Sequence, residues 1–467
     1  MTKTKHSIKL TPQQETAFKA IQDFIISNHD QYLRFSGAAG TGKSTLLSQV
    51  LLYLKNEHSN LKVAVASPTN KALKNICLMA NKALETDASK YFVFYTLASI
   101  LGLYLDINIH TGNDYLRNCF GEKAIRKYDL VIIDEYSMID KKTLQDIVDA
   151  VQNKNIKVLF CGDPFQLPPV FEAMPSVCNL PISEIKLFDV VRYNGKLAVV
   201  AEEIRSNDTY RMFPYLFESS EDGTIVRHIN ETSWRKVAEK YFTDKAFAAD
   251  RNSVRFLAYT NKRCQELSCY VRNAIYGAKL SLENPYLPND LLIARAPVYR
   301  KGKNGKYQQI AVNSQEFLVI KPGVLLTDDE TGYKYWSVLA EPLDLEEHSE
   351  IALKILDEDS AAANEKHIKQ MQDKLKQTKD YRAKTELTKE IDNTRKAFDN
   401  VVYGYGITVH KSQGSTFGQV FVDVNNIYSS NTKQKMLYTA VTRASLSIHV
   451  YGDFSEEGRI NLDTLFD

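Results

Sequence analysis

The sequence predicts an α/β protein of more than one domain, and three observations carry that prediction. Apolar strand-like runs at 32–35, 62–66 (KVAVA), 129–133 (DLVII) and 156–160 (IKVLF) alternate with helical patterns, the signature of a parallel sheet covered by helices. A glycine-rich loop joins the first of these strands to a helix of high apolar density. The length, 467 residues, exceeds what one hydrophobic core supports, so about two to four domains are expected.

The first strand, Tyr32 to Phe35, runs into Gly37, Ala38, Ala39, Gly40, Thr41, Gly42, Lys43 and Ser44, which fit G-x-x-x-x-G-K-[ST] at every fixed position. Thr45 opens the helix, which reads to Leu54. Glycines let successive backbone N–H groups turn inward around phosphates, and the helix N-terminus adds its positive dipole. Lys43 is placed to reach the β- and γ-phosphates and Ser44 to ligate Mg²⁺, so a nucleoside triphosphate is the expected ligand. The strand DLVII then delivers Asp134 and Glu135 to its C-terminal end, where open α/β sheets bind ligands. Asp134 is expected to hold Mg²⁺ and Glu135 to polarise the attacking water. The next strand ends in Gly162-Asp163-Pro164-Phe165-Gln166, whose Gln166 amide can sense a γ-phosphate, followed by a rigid LPPV segment.

One interval breaks the α/β rhythm. Residues 101–120 alternate polar and apolar side chains around the turn signal Thr111-Gly112-Asn113, predicting an inserted β-hairpin. A second α/β pattern begins near Ile185, includes a strand at 254–259, and resumes at 404–451. Between its halves, 285–340 reads as a small β-barrel with turn clusters such as Lys301-Gly302-Lys303-Asn304-Gly305. From Leu343 to Tyr403 there is no Gly or Pro, which predicts a long helix or helical hairpin projecting from the body. His29, His110 and His228 are expected in surface or loop positions, and Trp234 and Trp336 as packing anchors.

Composition excludes little but bounds the class. No run of 18 apolar residues appears, the N-terminus lacks a signal-peptide core, and six cysteines show no C-x-x-C pair. A cytoplasmic protein with reduced thiols and no membrane partner is expected. The net charge of +2 neither demands nor excludes a polyanionic partner, because a groove can be basic on a balanced surface.

GAAGTGKS, DEYSM and GDPFQLPPV together resemble the superfamily 1 helicases, in particular the RecD-like 5′-to-3′ branch and most closely the phage Dda-type enzymes. Seven further segments follow in the family's order. LTPQQETA at 10–17 resembles the adenine-reading Q motif, with Gln14 the implied reader. The segment with Pro68, Thr69 and Asn70 is similar to the first DNA-backbone motif, and Thr96 falls in the next, although Ala98 stands where that family has histidine. Arg192 occupies a γ-phosphate-contacting position. Thr260 and Asn261 resemble a strand-end grip on single-stranded DNA. TVHKSQGST at 408–416 resembles a further motif of the family, which implies Thr408 and His410 for DNA and Gly414 for the nucleotide. LYTAVTRA at 437–444 places Arg443 as the arginine finger.

The resemblance implies two RecA-like P-loop NTPase domains, at 1–100 with 121–185 and at 186–284 with 401–467. It implies a pin hairpin at 101–120, with Tyr115 or Phe120 as the wedge, and an SH3-like barrel plus helical arm at 285–400. The implied activity is ATP- and Mg²⁺-dependent 5′-to-3′ unwinding by a monomer acting on single-stranded DNA and fork junctions, with single-stranded-DNA-binding or replisome proteins as partners. If the protein is phage-encoded, the host cytoplasm is its compartment. Two other readings remain open: a DNA-stimulated translocase that remodels protein–DNA complexes without unwinding, and a small-metabolite P-loop kinase, which would have no use for the later motifs.

Overall fold

The structure is a computed structural model that describes residues 10–27, 29–110, 113–118, 123–169, 172–189, 196–206, 224–302, 304–343, 349–425 and 430–452. The first described element is α1 (Pro12–Ile26), started by a capping box in which the Thr11 hydroxyl accepts from the Gln14 backbone N–H and the Gln14 side-chain Oε1 accepts from the Thr11 backbone N–H. There follow β1 (Tyr32–Gly37), α2 (Lys43–Glu57), β2 (Val63–Ser67), α3 (Asn70–Leu84), β3 (Val93–Thr96) and the single turn α4 (Leu97–Ile100). A hairpin, β4 (Leu103–Ile107) and β5 (Asp114–Asn118), precedes β6 (Leu130–Ile133), α5 (Lys141–Val151), β7 (Lys157–Gly162) and β8 (Ser183–Leu187).

Six of these strands form a parallel sheet in the order β3-β2-β6-β7-β1-β8. Every residue of β6 is buried, as a strand covered by helices on both faces requires, and its sequence LVII is accordingly apolar throughout. Two apolar clusters, one on each face, complete this unit. The expected start of the second α/β pattern near Ile185 is corrected here. Ile185 lies in β8, which pairs with β1 and closes the edge of the first sheet.

The second half continues with α6 (Lys196–Ser206), β9 (Ile225–His228), α7 (Glu231–Phe242), α8 (Lys245–Ala249), β10 (Val254–Ala258), α9 (Asn261–Tyr276) and α10 (Ala278–Glu283). An accessory unit then intervenes: β11 (Leu291–Ala294), β12 (Val298–Lys301), β13 (Tyr307–Ala311), β14 (Glu316–Val319), β15 (Val324–Thr327), β16 (Lys334–Pro342), β17 (Ile351–Leu356), α11 (Glu358–Gln377), α12 (Tyr381–Ala397) and β18 (Val401–Tyr403). The chain returns through β19 (Gly406–Thr408), α13 (Val409–Ser412), β20 (Phe417–Asp423), α14 (Ser430–Val441) and β21 (Ala444–Tyr451). The second sheet is again parallel, in the order β19-β10-β20-β21-β9. Two RecA-like units thus stand on either side of an interrupted chain, the second carrying the accessory unit.

The accessory unit is an antiparallel sheet, β15-β16-β14-β11-β18 with β17 on β16, plus the β12–β13 hairpin. Residues 351–356 were expected within the helical arm. They form β17 instead, because IALKIL buries Leu353 and Ile355 on alternate positions against β16. Absence of Gly and Pro removes breakers from a segment without choosing its period. The arm itself is a helical hairpin of α11 and α12. Its buried Met371, Leu375, Leu387 and Ile391 close over Ile107, so the arm grips the β4–β5 hairpin.

His228 is also corrected. It is buried on β9, with Nε2 3.2 Å from His449 Nδ1, because β9 joins the second sheet instead of ending in a loop. Trp234 is an anchor as expected, fully buried against Phe256, Phe421 and Tyr451. Trp336 packs edge-on against Tyr286.

Candidate functional site

The glycine-rich loop leaves β1 and enters α2 with Gly40 at φ 83° and Gly42 at φ 82°, a conformation that L side chains rarely adopt. A Cβ at Gly37 would stand 2.7 Å from the Thr41 hydroxyl, so the loop can close only on glycine there. Thr41 is fully buried and its hydroxyl donates to the Ala38 carbonyl at 2.9 Å. Lys43 Nζ donates to the Gly37 and Ala38 carbonyls at 2.6 and 2.9 Å, which holds its charge at the mouth of its own loop. Gln14, expected to read adenine, is buried beneath this loop. Its amide donates to the Thr41 carbonyl at 3.0 Å while its oxygen completes the α1 cap, so the geometry makes it a brace between α1 and the loop.

Asp134 and Glu135 sit together at the end of β6. Glu135 takes φ 55°, ψ 45°, a left-handed conformation unusual outside glycine that costs of order 1–3 kcal/mol. Burial and then the neighbouring Glu135 push the Asp134 carboxyl up to about 7, opposed by the Glu135 backbone N–H and the Lys43 charge. A pair of carboxylates this poorly neutralised favours a cation beside it. Ser44 and Asp134 therefore fit the expected Mg²⁺, whose charge would offset theirs.

The wall of the cleft comes from the segment after β7. Asp163 is fully buried and Gln166 nearly so, and the Gln166 Oε1 and Arg443 Nε atoms have no hydrogen-bond partner among the described residues. Orphaned buried polar atoms of both polarities suit a ligand rich in phosphate oxygens and bound water. Arg443 lies on the second sheet's side, where Nη1 donates to the Ser415 carbonyl and Nη2 to the Thr442 hydroxyl. Arg192 falls outside the described residues.

The residues expected to touch nucleic acid share one local geometry. Thr69, Thr96, Thr260 and Thr408 each stand at the C-terminal end of a parallel strand and cap the helix that follows. Their hydroxyls accept from the N–H groups of Ala72, Ser99, Arg263 and Lys411 at 3.2, 3.2, 3.2 and 3.4 Å. The strands concerned are neighbours in both sheets, β3 beside β2 and β19 beside β10. Pro68 is half-buried, Asn70 and Asn261 are exposed, and the half-buried His410 ring lies 6.3 Å from Tyr259. Ala98 packs on the core, as its apolar side chain dictates. Tyr115 lies in β5, its side chain outside the described set, as is Phe120. Gly414, expected at the nucleotide, packs on α3 of the first unit: its carbonyl accepts from the Asn75 amide, and a Cβ on it would meet that of Ala72 at 3.0 Å.

Contacts across the cleft supply residues that the motifs did not single out. The Tyr438 hydroxyl of α14 accepts from the Ala39 backbone N–H at 3.0 Å and donates to Asp163 at 2.6 Å. The Leu167 N–H donates to the Thr439 hydroxyl and its carbonyl accepts from the Gln413 amide, at 3.1 and 3.0 Å. The available signal was a hydroxyl on each of two consecutive residues inside an apolar helix, since buried polar groups need partners.

A family model described as an AAA domain matches residues 9–226, and one described as the UvrD-like helicase C-terminal domain matches 403–451. Uncharacterized protein R530 of Acanthamoeba polyphaga mimivirus is 27% identical, with 93% of this chain and 98% of that protein covered. The RecBCD enzyme subunit RecD of Buchnera aphidicola (subsp. Schizaphis graminum) is 22% identical over 91% of this chain and 71% of its own length. The ATP-dependent DNA helicase PIF1 of Saccharomyces cerevisiae is 29% identical over 36% of this chain and 18% of its own. Among solved structures, a Bacteroides Pif1 bound to ssDNA superposes with a TM-score of 0.51 at 17% identity, covering 98% of this chain and 96% of that one. The helicases named among these relatives are RecD and Pif1 proteins, and nearness to Dda-type enzymes rests on the motifs alone. In its ordered motifs and these relatives, the chain is similar to the RecD-like and Pif1 branch of the superfamily 1 helicases, and its paired RecA-like sheets share the fold of a Bacteroides Pif1.

Proposed function

We propose that this chain is an ATP-dependent DNA helicase that translocates 5′-to-3′ on single-stranded DNA and unwinds duplex by ATP hydrolysis. The observation that carries this reading is the pairing of one phosphate-loop cleft with two matched sets of strand-end threonines, Thr69 and Thr96 on one sheet, Thr260 and Thr408 on the other. Hydroxyls and helix-start N–H groups suit phosphodiester oxygens, so the grip is sequence-independent and salt-sensitive. Two such sets on separate units, with ATP between the units, turn closing and opening of the cleft into steps along a strand.

In the hydrolytic step, Glu135 accepts a proton from the water that attacks the γ-phosphorus, and the bond to the β–γ bridging oxygen breaks. Lys43, Arg192 and Arg443 offset the charge that develops, and Gln166 orients the water. Ser44 and Asp134 would hold Mg²⁺, which supplies charge neutralisation at the phosphate oxygens. The β4–β5 hairpin, held by the arm, is the wedge at the fork. On this reading the protein acts as a cytoplasmic monomer alongside single-stranded-DNA-binding or replisome proteins.

The test is strand displacement on duplexes carrying a 5′ or a 3′ single-stranded tail, with DNA and RNA tracking strands run in parallel. Unwinding from the 5′ DNA tail is expected. Unwinding only from the 3′ tail overturns the polarity, and DNA-stimulated ATPase without displacement establishes the translocase reading instead.

A further inference from the structure

Tyr438 connects more of the cleft than any residue the motifs assign. Its side chain is 2% exposed and its hydroxyl is saturated: one lone pair takes the Ala39 N–H of the phosphate loop, and its proton goes to Asp163 Oδ2. Asp163 is fully buried, and its other oxygen accepts from the Phe165 N–H at 3.0 Å. The three groups make one directional chain, N–H to O–H to carboxylate, in which each bond polarises the next. The Phe165 ring meets the Tyr438 ring edge-on at 6.4 Å, which fixes the phenol against rotation away from the cleft. One helical position later, Thr439 accepts the Leu167 N–H. Two consecutive residues of α14 thus hold the 163–167 segment at both ends, and Tyr438 alone also reaches the phosphate loop.

We propose that Tyr438 is a positioning residue for hydrolysis, setting the phosphate loop and the 163–167 segment, with Gln166 in it, relative to the second unit when the cleft closes. The inference rests on the ATPase reading above. Nucleotide binding depends on Lys43 and the loop amides other than that of Ala39, all on the first unit, whereas the Tyr438 hydroxyl occupies the Ala39 N–H and acts across the cleft. Its loss therefore falls on kcat and spares nucleotide affinity. A hydrogen bond to a buried charge is among the stronger single interactions, so losing this one lowers kcat by about tenfold or more.

The experiment is steady-state ATPase of the full chain with saturating single-stranded DNA, comparing the parent, Tyr438→Phe, Asp163→Asn and the double variant, with ADP affinity measured for each. A parent without DNA-stimulated ATPase overturns the functional reading itself. With the parent active, the expected result is a kcat lowered about tenfold in Tyr438→Phe, KM and ADP affinity within about threefold of the parent, and a double variant little worse than the worse single. A kcat within twofold of the parent, a loss confined to KM, or fully additive effects overturns the proposal. Retained ADP affinity shows that the variants are folded, since the binding loop lies on the first unit and its order depends on that core.

Discussion

Ile107→Ala separates the wedge from the motor. Ile107 ends β4, is 3% exposed, and packs with Met371, Leu375, Leu387 and Ile391 of the arm, in a cluster that shares no residue with the two sheet cores. Truncating a buried isoleucine costs about 2–5 kcal/mol, depending on how far the site collapses. Here the loss falls on docking of the hairpin against the arm, because the β4–β5 ladder itself keeps its five register pairs. At about 3 kcal/mol the docked-to-undocked ratio falls on the order of a hundredfold. A hairpin that yields when duplex presses on it no longer separates strands, while both sheets and the nucleotide cleft are untouched. The assay pairs strand displacement on a forked substrate with ATPase on single-stranded DNA. Displacement should drop severalfold or more, with ATPase within twofold of the parent. Unchanged displacement would show that the hairpin's grip by the arm is irrelevant to unwinding. Equal loss of both activities would show that the cluster supports the motor and not the wedge.

Three further outcomes follow from the same geometry. Glu135→Gln should lower DNA-stimulated ATPase by about 10²-fold or more, as loss of a general base does, while filter binding detects single-stranded DNA retention near the parent's; Lys43→Ala should abolish turnover likewise. Thr260→Ala removes the α9 cap, costing about 1 kcal/mol of stability by thermal melting, and should also weaken single-stranded DNA binding at low salt without changing DNA-free nucleotide affinity. His449, buried beside His228, is pushed down to about 4 by burial first and the second histidine after it, against an ordinary value of 6.5. The unfolded chain then takes up the proton more readily, so stability is complete above about pH 6.5 and falls on acidification toward pH 4; the melting temperature should drop over that interval, less steeply in His449→Phe.

Much of this was legible because the chemistry is local in sequence. The phosphate loop, Asp134 with Glu135, and Gln166 each sit at a strand end, and a strand end is visible as the last residues of an apolar run. The threonines were legible for a related reason, since a threonine after an apolar strand and before a helix is a helix cap at the strand end. What escaped is non-local. Nothing in IALKIL says that it will find β16 as a partner, nor in Ser183–Leu187 that it will add to β1 from across the first sheet. His228 read as a loop residue because its burial comes from β21, some 220 positions away. Gln14 shows the same limit in reverse. Its motif position was legible, yet both ends of its amide are taken by Thr11 and Thr41, a pairing that depends on how α1 lies under the loop.

The node around Glu316 ties the strand-end threonines of the two units together outside the nucleotide cleft. Burial pushes this β14 carboxyl up, but Arg255 and then Lys71 outweigh it and hold it below the usual glutamate range. Arg255 is fully buried on β10 and contacts Glu316 at 3.2 Å, while Lys71 of α3 approaches at 3.8 Å, and both cations lie over the Phe417 ring at 5.0 and 5.3 Å. The three charged groups come from the second sheet, the accessory sheet and the first unit. Lys71 directly follows Thr69 and Asn70, and β10 leads to Thr260, so the node stands behind one strand-end threonine of each unit. Arg255 and Glu316 by themselves form a neutral buried pair, so Lys71 adds a second, outer cation to a carboxylate that is already compensated. When α3 separates from the accessory sheet, what is lost is the Lys71 attraction and its place over the Phe417 ring, while Arg255 keeps both carboxylate oxygens at 3.2 and 3.4 Å. Arg255 is thus the permanent partner and Lys71 the exchangeable one, and relative motion of the two threonine sets is resisted at Lys71.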